Sequence, residues 1–149
     1  MNGINLSKLA KISTAITPTA GAAGTSDING STLDMEGYES VLVIVRMGAI
    51  TGSAVTSIKM QQGAASNLSD AADLEGTAQT VADDDDDETF YIDLHQPAER
   101  YVRLVVDRGT QNAVVASANY IQYNGSVFPT THGTGVSGEF HQSPAEGTA

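Results

Sequence analysis

The sequence has no cysteine and no tryptophan in 149 residues, and only three phenylalanines and five tyrosines. Without cysteine there is neither a disulfide scaffold nor a thiolate zinc site, and the redox compartment stays unread. Positive charge is scarce as well: seven Lys and Arg stand against eighteen Asp and Glu, a formal net charge of −11. Holding a phosphate backbone draws on Lys and Arg, so no nucleic-acid partner is expected. Long apolar runs are missing too. The longest stretch of large apolar residues, Val41 to Val45, is far short of the ~20 that span a bilayer, and no membrane partner is expected. The opening MNGINLSKLAKIS has two lysines but no apolar h-region, so no signal peptide is expected. Leu, Ile, Val and Phe supply only 32 of the 149 residues, close to the roughly 20% level below which charged chains stop folding alone. A thin core is implied, one that leans on an oligomer or on a larger surface for burial.

What is present repeats with period two. Ser40-Val41-Leu42-Val43-Ile44-Val45-Arg46 is apolar on both faces, as in a central strand. Ala54, Thr56, Ile58 and Met60 alternate with Val55, Ser57, Lys59 and Gln61. Phe90, Ile92 and Leu94 alternate with Tyr91, Asp93 and His95, and Val102, Leu104 and Val106 with Tyr101, Arg103 and Val105. A last strand is expected from about Ala113 to Tyr123, and two more around Ile12 to Thr19 and Ser31 to Met35. Turn signals stand between them at Gly48, Thr51-Gly52, Gln96-Pro97, Asp107-Arg108-Gly109 and Asn124-Gly125. Short strands so divided describe an all-β chain, an antiparallel β-sandwich. Val43, Ile58, Ile92, Leu104 and Val114 are its expected core. The one helical competitor is the spacing of Leu6, Leu9, Ile12 and Ile16, which Thr14, Thr17 and Pro18 oppose. The expected organisation is an N-terminal arm or first strand over 1–19, a sandwich over 20–126, and a C-terminal arm over 127–149. That last segment is rich in Gly, Thr and Pro and cannot fold by itself.

Motifs for chemistry are weak. Gly133 to Gly138 reads G-x-G-x-x-G, but a dinucleotide fold needs a following helix and an acidic residue about 20 positions on, and eleven residues remain after Gly138. His95, His132 and His141 show no zinc-binding spacing and are read as surface or contact histidines. No nucleophile elbow is present. The expectation is no enzyme, no cofactor and no metal. Asn29, Asn67 and Asn124 begin Asn-x-Ser triplets that read as turn asparagines.

Residues 70 to 88 hold nine of the eighteen acids and no base, five of them the aspartates 83 to 87. An EF-hand begun at Asp83 needs glycine at its sixth place and glutamate at its twelfth, where Glu88 and Leu94 stand. The run is therefore read as a solvated, self-repelling connection.

Three stretches, SDINGSTLDMEGYESVLVIVRMGAI, SAVTSIKMQQGAASNLSDAADLEGTAQTVADDDDDETFYIDL and ERYVRLVVDRGTQN, together with the terminal HGTGVSGEFHQSPAEGTA, resemble head decoration (cement) proteins of tailed bacteriophages. The resemblance implies a jelly-roll-like sandwich on the outer surface of an assembled virion capsid, made in the bacterial host cytoplasm. Its implied partners are the major capsid protein and other copies of itself, as a dimer or trimer. It carries over no catalytic residue. Acidic charge suits such a protein, because repulsion keeps free copies soluble. The residues expected to contact the capsid or a neighbour are Lys8 and Lys11, the only charges before Asp27, with Phe128, Phe140 and His141 in the C-terminal arm. The alternative is a calcium- or carbohydrate-binding β-sandwich module, resting on Tyr91, Tyr101, Tyr120 and Tyr123 beside acidic loops.

Overall fold

The computed structural model describes residues 5–148; residues 1–4 and 149, the outermost parts of the two arms, lie outside the described residues. The elements are a one-turn helix α1 (Leu6–Leu9) and ten strands: β1 (Lys11–Ile16), β2 (Ile28–Asn29), β3 (Leu33–Asp34), β4 (Tyr38–Ile50), β5 (Val55–Gly63), β6 (Ala72–Asp73), β7 (Gln79–Val81), β8 (Thr89–His95), β9 (Tyr101–Gly109) and β10 (Ala113–Gly125). All pairings are antiparallel. A four-stranded sheet runs β1-β10-β4-β8, and a six-stranded sheet has β9 and β5 at its centre, with β2 and β3 pairing β9 and β6 and β7 pairing β5. Taking β2 with β3, and β6 with β7, as two interrupted strands, the first sheet runs first-eighth-third-sixth and the second second-seventh-fourth-fifth. That is the strand order of a jelly roll.

The helical spacing at the N-terminus survives for one turn only. Beyond Ala10 the segment Ile-Ser-Thr-Ala-Ile, with β-branched Ile12, Thr14 and Ile16 at every second position, takes the extended form, where such side chains are least restricted. It pairs with β10, Ile12 opposite Ile121. The strand ends at Ile16, short of Thr19, because Thr17 opens a turn whose carbonyl accepts from Gly21 N–H at 2.9 Å. Gly21 is required there, since a Cβ would stand 1.9 Å from the Val115 carbonyl oxygen.

Val43, Ile58, Ile92 and Leu104 are buried as expected, but Val114 is only half-buried; Ala113 and Val115 point inward instead. Register shifts between Ala113 and Val115, and between Val115 and Ser117, are the reason. The first shift puts its extra residue in β4 and leaves Ala113 and Val115 on one face; the second puts it in β10 and moves the alternation by one, so the inward set continues as Ala118, Tyr120 and Gln122. The same irregular pairing carries β4 through Gly48 to Ile50, where the sequence suggests a turn. The acidic connection is also more ordered than its charge implies, since it contributes β6 and β7.

One polar group ties the sheets together. β9 loses its ladder partner where β2 and β3 are interrupted, and the buried Tyr120 hydroxyl of the opposite sheet fills the gap. It accepts from Leu104 N–H at 2.9 Å and donates to the Ser31 carbonyl at 2.8 Å. Burial pushes this phenol well above the usual tyrosine range. Arg108 closes the far end: its guanidinium donates to the carbonyls of Ser26, Ala22 and Ala113, each at 2.7 Å.

Candidate functional site

The C-terminal arm lies along the outer edge of β1. Thr130 N–H donates to the Lys8 carbonyl at 2.9 Å and Gly133 N–H to the Ile12 carbonyl at 2.8 Å. Ile12 N–H donates in return to His132 Nδ1 at 3.1 Å. Tyr38 and Thr130 share a hydroxyl–hydroxyl bond. These bonds cover an edge that would otherwise offer bare backbone to another strand. Gly133 is tight against β1, because a Cβ would stand 2.7 Å from Ser13 Cβ. The G-x-G-x-x-G spacing is thus part of an extended arm, with Gly133 at a point of close backbone approach.

Beyond Gly133 the arm is mostly exposed. It turns over α1, setting the Phe140 ring 5.9 Å from Lys8 Nζ. A cleft of about 390 Å3 remains between them, lined by Ser7, Lys8, Ile12, His132, Val136 and Phe140 among others. Among the described residues the exposed large apolar side chains are Leu6, Val55, Tyr91, Val127, Phe128 and Phe140. Four of these six belong to the terminal segments, and such rings and chains are the usual anchors of an interface.

The structure brings three of the residues expected from sequence to one region: Lys8, Phe140 and, at the start of β1, Lys11, whose Nζ lies 5.9 Å from the Tyr38 ring. Phe128 stands half-exposed where the chain leaves β10. His141 is exposed and faces Glu139 at 2.9 Å. Sequence reasoning missed Leu6 and Val127, whose exposure is set by where the chain ends pack, and His132, whose neighbour Ile12 is 120 positions away.

The outer faces of the two sheets differ in kind. On the four-stranded sheet the outward rows are Ile12-Ile121-Leu42-Asp93, Thr14-Asn119-Ile44-Tyr91 and Ser117-Arg46-Thr89. A depression of about 380 Å3 is lined by Leu42, Ile44, Thr89, Tyr91 and Asp93. On the six-stranded sheet, Lys59 bridges Asp73 at 3.0 Å and Asp107 at 3.1 Å. Arg103 donates to Gln61 Oε1 at 2.8 Å, and Gln61 donates to Asp73 at 2.7 Å. The bond to Asp73 raises the Lys59 pKa, and that from Gln61, aided by Lys59, lowers the Asp73 pKa.

The acid run is exposed but has structural work among its carboxylates. Asp86 accepts from Ile50 N–H at 2.7 Å, Asp83 from Ser53 N–H at 2.5 Å, and Asp85 from Ala82 N–H at 2.8 Å. The run therefore braces the β4–β5 turn. Among the described residues no three His, Asp or Glu side chains are placed to hold a metal ion. Nor do the four tyrosines form one platform. Tyr120 is in the core, Tyr101 is on the six-stranded sheet with Arg100 stacked 5.3 Å from its ring, and Tyr123 donates to Asp93 at 2.6 Å.

No protein-family profile matches the sequence, and no curated protein matches it. Among solved structures the chain is similar to the crystal structure of PBSX exported protein XepA, with a TM-score of 0.51 and 15% identity over 95% of this chain. The match spans 46% of that chain, about half its length. At this identity the likeness is one of fold. No helix among the described residues is long and apolar enough to cross a membrane.

Proposed function

We propose that this chain is a structural protein of a tailed-phage virion that docks on the outer surface of the assembled capsid and stabilises it by bridging capsid subunits. The observation that carries the reading is the gathering of exposed Leu6, Val127, Phe128 and Phe140 with Lys8 on two terminal segments laid over one edge of a well-packed sandwich. Apolar anchors on extended segments add contact area without enlarging the domain, and segments from one copy can span two neighbouring subunits. The cations Lys8 and Lys11 give this end a local sign opposite to that of the chain as a whole, which suits an acidic patch on a capsid subunit. The sequence resemblance to cement proteins supports the phage setting. The likeness to XepA supports it through the fold alone.

The test is addition of purified chain to capsids that lack it. Co-sedimentation with the particles, and shells that open at a higher temperature, are the expected results. Chain left in the supernatant at saturating concentration, with no change in shell stability, would remove the reading.

A further inference from the structure

We propose that the outer face of the four-stranded sheet is where two copies of this chain meet, face to face across a twofold axis that lies along the Ile44 row. The centre of the face is apolar, with Leu42, Ile44 and Ile121 half-buried and Tyr91 65% exposed. A sheet face bound for solvent is mostly polar, as the other face of this sandwich is around Lys59, with Val55 exposed only at the strand end. An apolar centre on the exposed face of a soluble chain marks a contact.

Charge selects the occupant. Arg46 stands on one side of the Ile44 row and Asp93 on the other, each two positions along the strands. A twofold axis in the interface along that row sets Arg46 of each copy against the Leu42-Asp93 row of its mate, forming two equivalent ion pairs around a shared apolar centre. It also stacks Ile44 and Tyr91 on their own copies. This is the self-complementarity that an isologous interface requires. An axis parallel to the strands would instead set Arg46 against the Ser117 side, with no anion to meet it.

The larger charge pattern agrees. The acid run packs against the end of β4, where the Glu88 backbone carbonyl accepts from Met47 N–H at 2.9 Å and the Asp86 carboxylate from Ile50 N–H at 2.7 Å. Lys11 and Lys8 lie at the other end of the same sheet, at and before the start of β1. The proposed axis carries the acidic end of each copy toward the basic end of its mate and keeps the two acid runs apart. The parallel arrangement would put both acid runs, on chains of formal charge −11, side by side. Two strand spacings, about 10 Å, separate the basic edge from the acid run laterally, about one screening length at 0.1 M ionic strength, so this long-range term favours the arrangement most at low salt.

The inference stands on this face alone and does not rest on the virion reading. Its test is analytical ultracentrifugation of the full chain without capsids. The chain is expected to sediment as a dimer, and Ile44→Glu as a folded monomer. Arg46→Glu and Asp93→Arg should each weaken dimerisation at least tenfold, and the double charge swap should restore it. Ser57→Glu on the opposite face should leave the dimer intact. Circular dichroism of each variant separates dissociation from unfolding. A monomer at all attainable concentrations, or a dimer indifferent to Ile44→Glu and to the charge swap, would overturn the proposal.

Discussion

The two outer faces belong to one sandwich and share one core, yet the same alternation delivers opposite surfaces. On β5 and β9 the outward positions include Ser57, Lys59, Gln61, Arg103 and Asp107, joined by ion pairs and amide bonds, with Val55, Tyr101 and Val105 among them. On β1, β10 and β4 they include Ile12, Ile121, Leu42 and Ile44. The inward positions need apolar residues in both sheets, so only the outward ones are free to report surroundings. Polar pairs close over the six-stranded sheet and complete it in water. The four-stranded sheet and the terminal segments at its edge leave Tyr91, Leu6 and Phe140 uncovered. On the proposed reading, the difference separates a solvent side from a contact side.

The strongest way to break this comparison is to damage what both faces share. Tyr120→Phe should strand Leu104 N–H and the Ser31 carbonyl in the core, at a cost of about 2–4 kcal/mol from two unmet buried groups. Thermal denaturation should show a single transition, shifted down. Two separate transitions would show that the sheets are not one cooperative unit.

Removing residues 127 to 149 should instead spare the fold and strike the contact side alone. Particle binding is expected to weaken at least tenfold, roughly 1.4 kcal/mol. A gentler version is Gly133→Val, whose side chain meets Ser13; amide exchange should speed up at Thr130, whose N–H bonds the Lys8 carbonyl, while β5 and β9 are unchanged.

Smaller effects are expected at the turn joining the two sheets. Asp86→Ala should cost about 1 kcal/mol by unpairing Ile50 N–H, and Asp84→Ala, with no such bond among the described contacts, within about 0.5 kcal/mol. Equal losses in chemical denaturation would contradict the bracing role of the run.

On the solvent side, Lys59→Ala should move stability by about 0–1 kcal/mol, as exposed ion pairs do, and leave particle binding alone. The pH dependence has a definite sign. Asp34, held below the usual carboxylate range by its bond from Arg100, and Asp73, held there by Gln61 and Lys59, contribute stability above their unfolded pKa. That contribution is lost as pH falls below about 4 through the depressed folded values. The raised Lys59 contributes below the unfolded lysine value, and its part is lost only above about pH 10.4. Melting temperature should therefore fall between pH 5 and pH 3, and fall less steeply in Arg100→Gln.

Much of the fold was legible because strands carry their own period. Val43, Ile58, Ile92 and Leu104 could be assigned to the core from alternation alone. Val114 could not, because a bulge shifts the count by one residue and leaves no local mark. β2, β6 and β7 are two or three residues long, too short to show a period, and they exist only through their partners on β9 and β5. Lys8 and Phe140 were found as the odd charge and the large ring in polar segments. The apolar outer face was hidden inside the run Val41 to Val45, which reads as a strand buried on both sides, although Leu42 and Ile44 are only half-buried. The role of the aspartates was obscured for a related reason: a charge run in sequence says nothing of which backbone N–H groups will come to meet it.

The most direct test of a contact side and a solvent side is a cryo-EM map of capsids carrying this chain, resolved well enough to place the sandwich. The account predicts density on the outside of the shell, with Leu6, Lys8, Phe128 and Phe140 against capsid subunits and the Lys59–Asp107 face turned to solvent. A sandwich seated on the capsid through Lys59, Arg103 and Asp107, with both terminal segments free of contact, would contradict it.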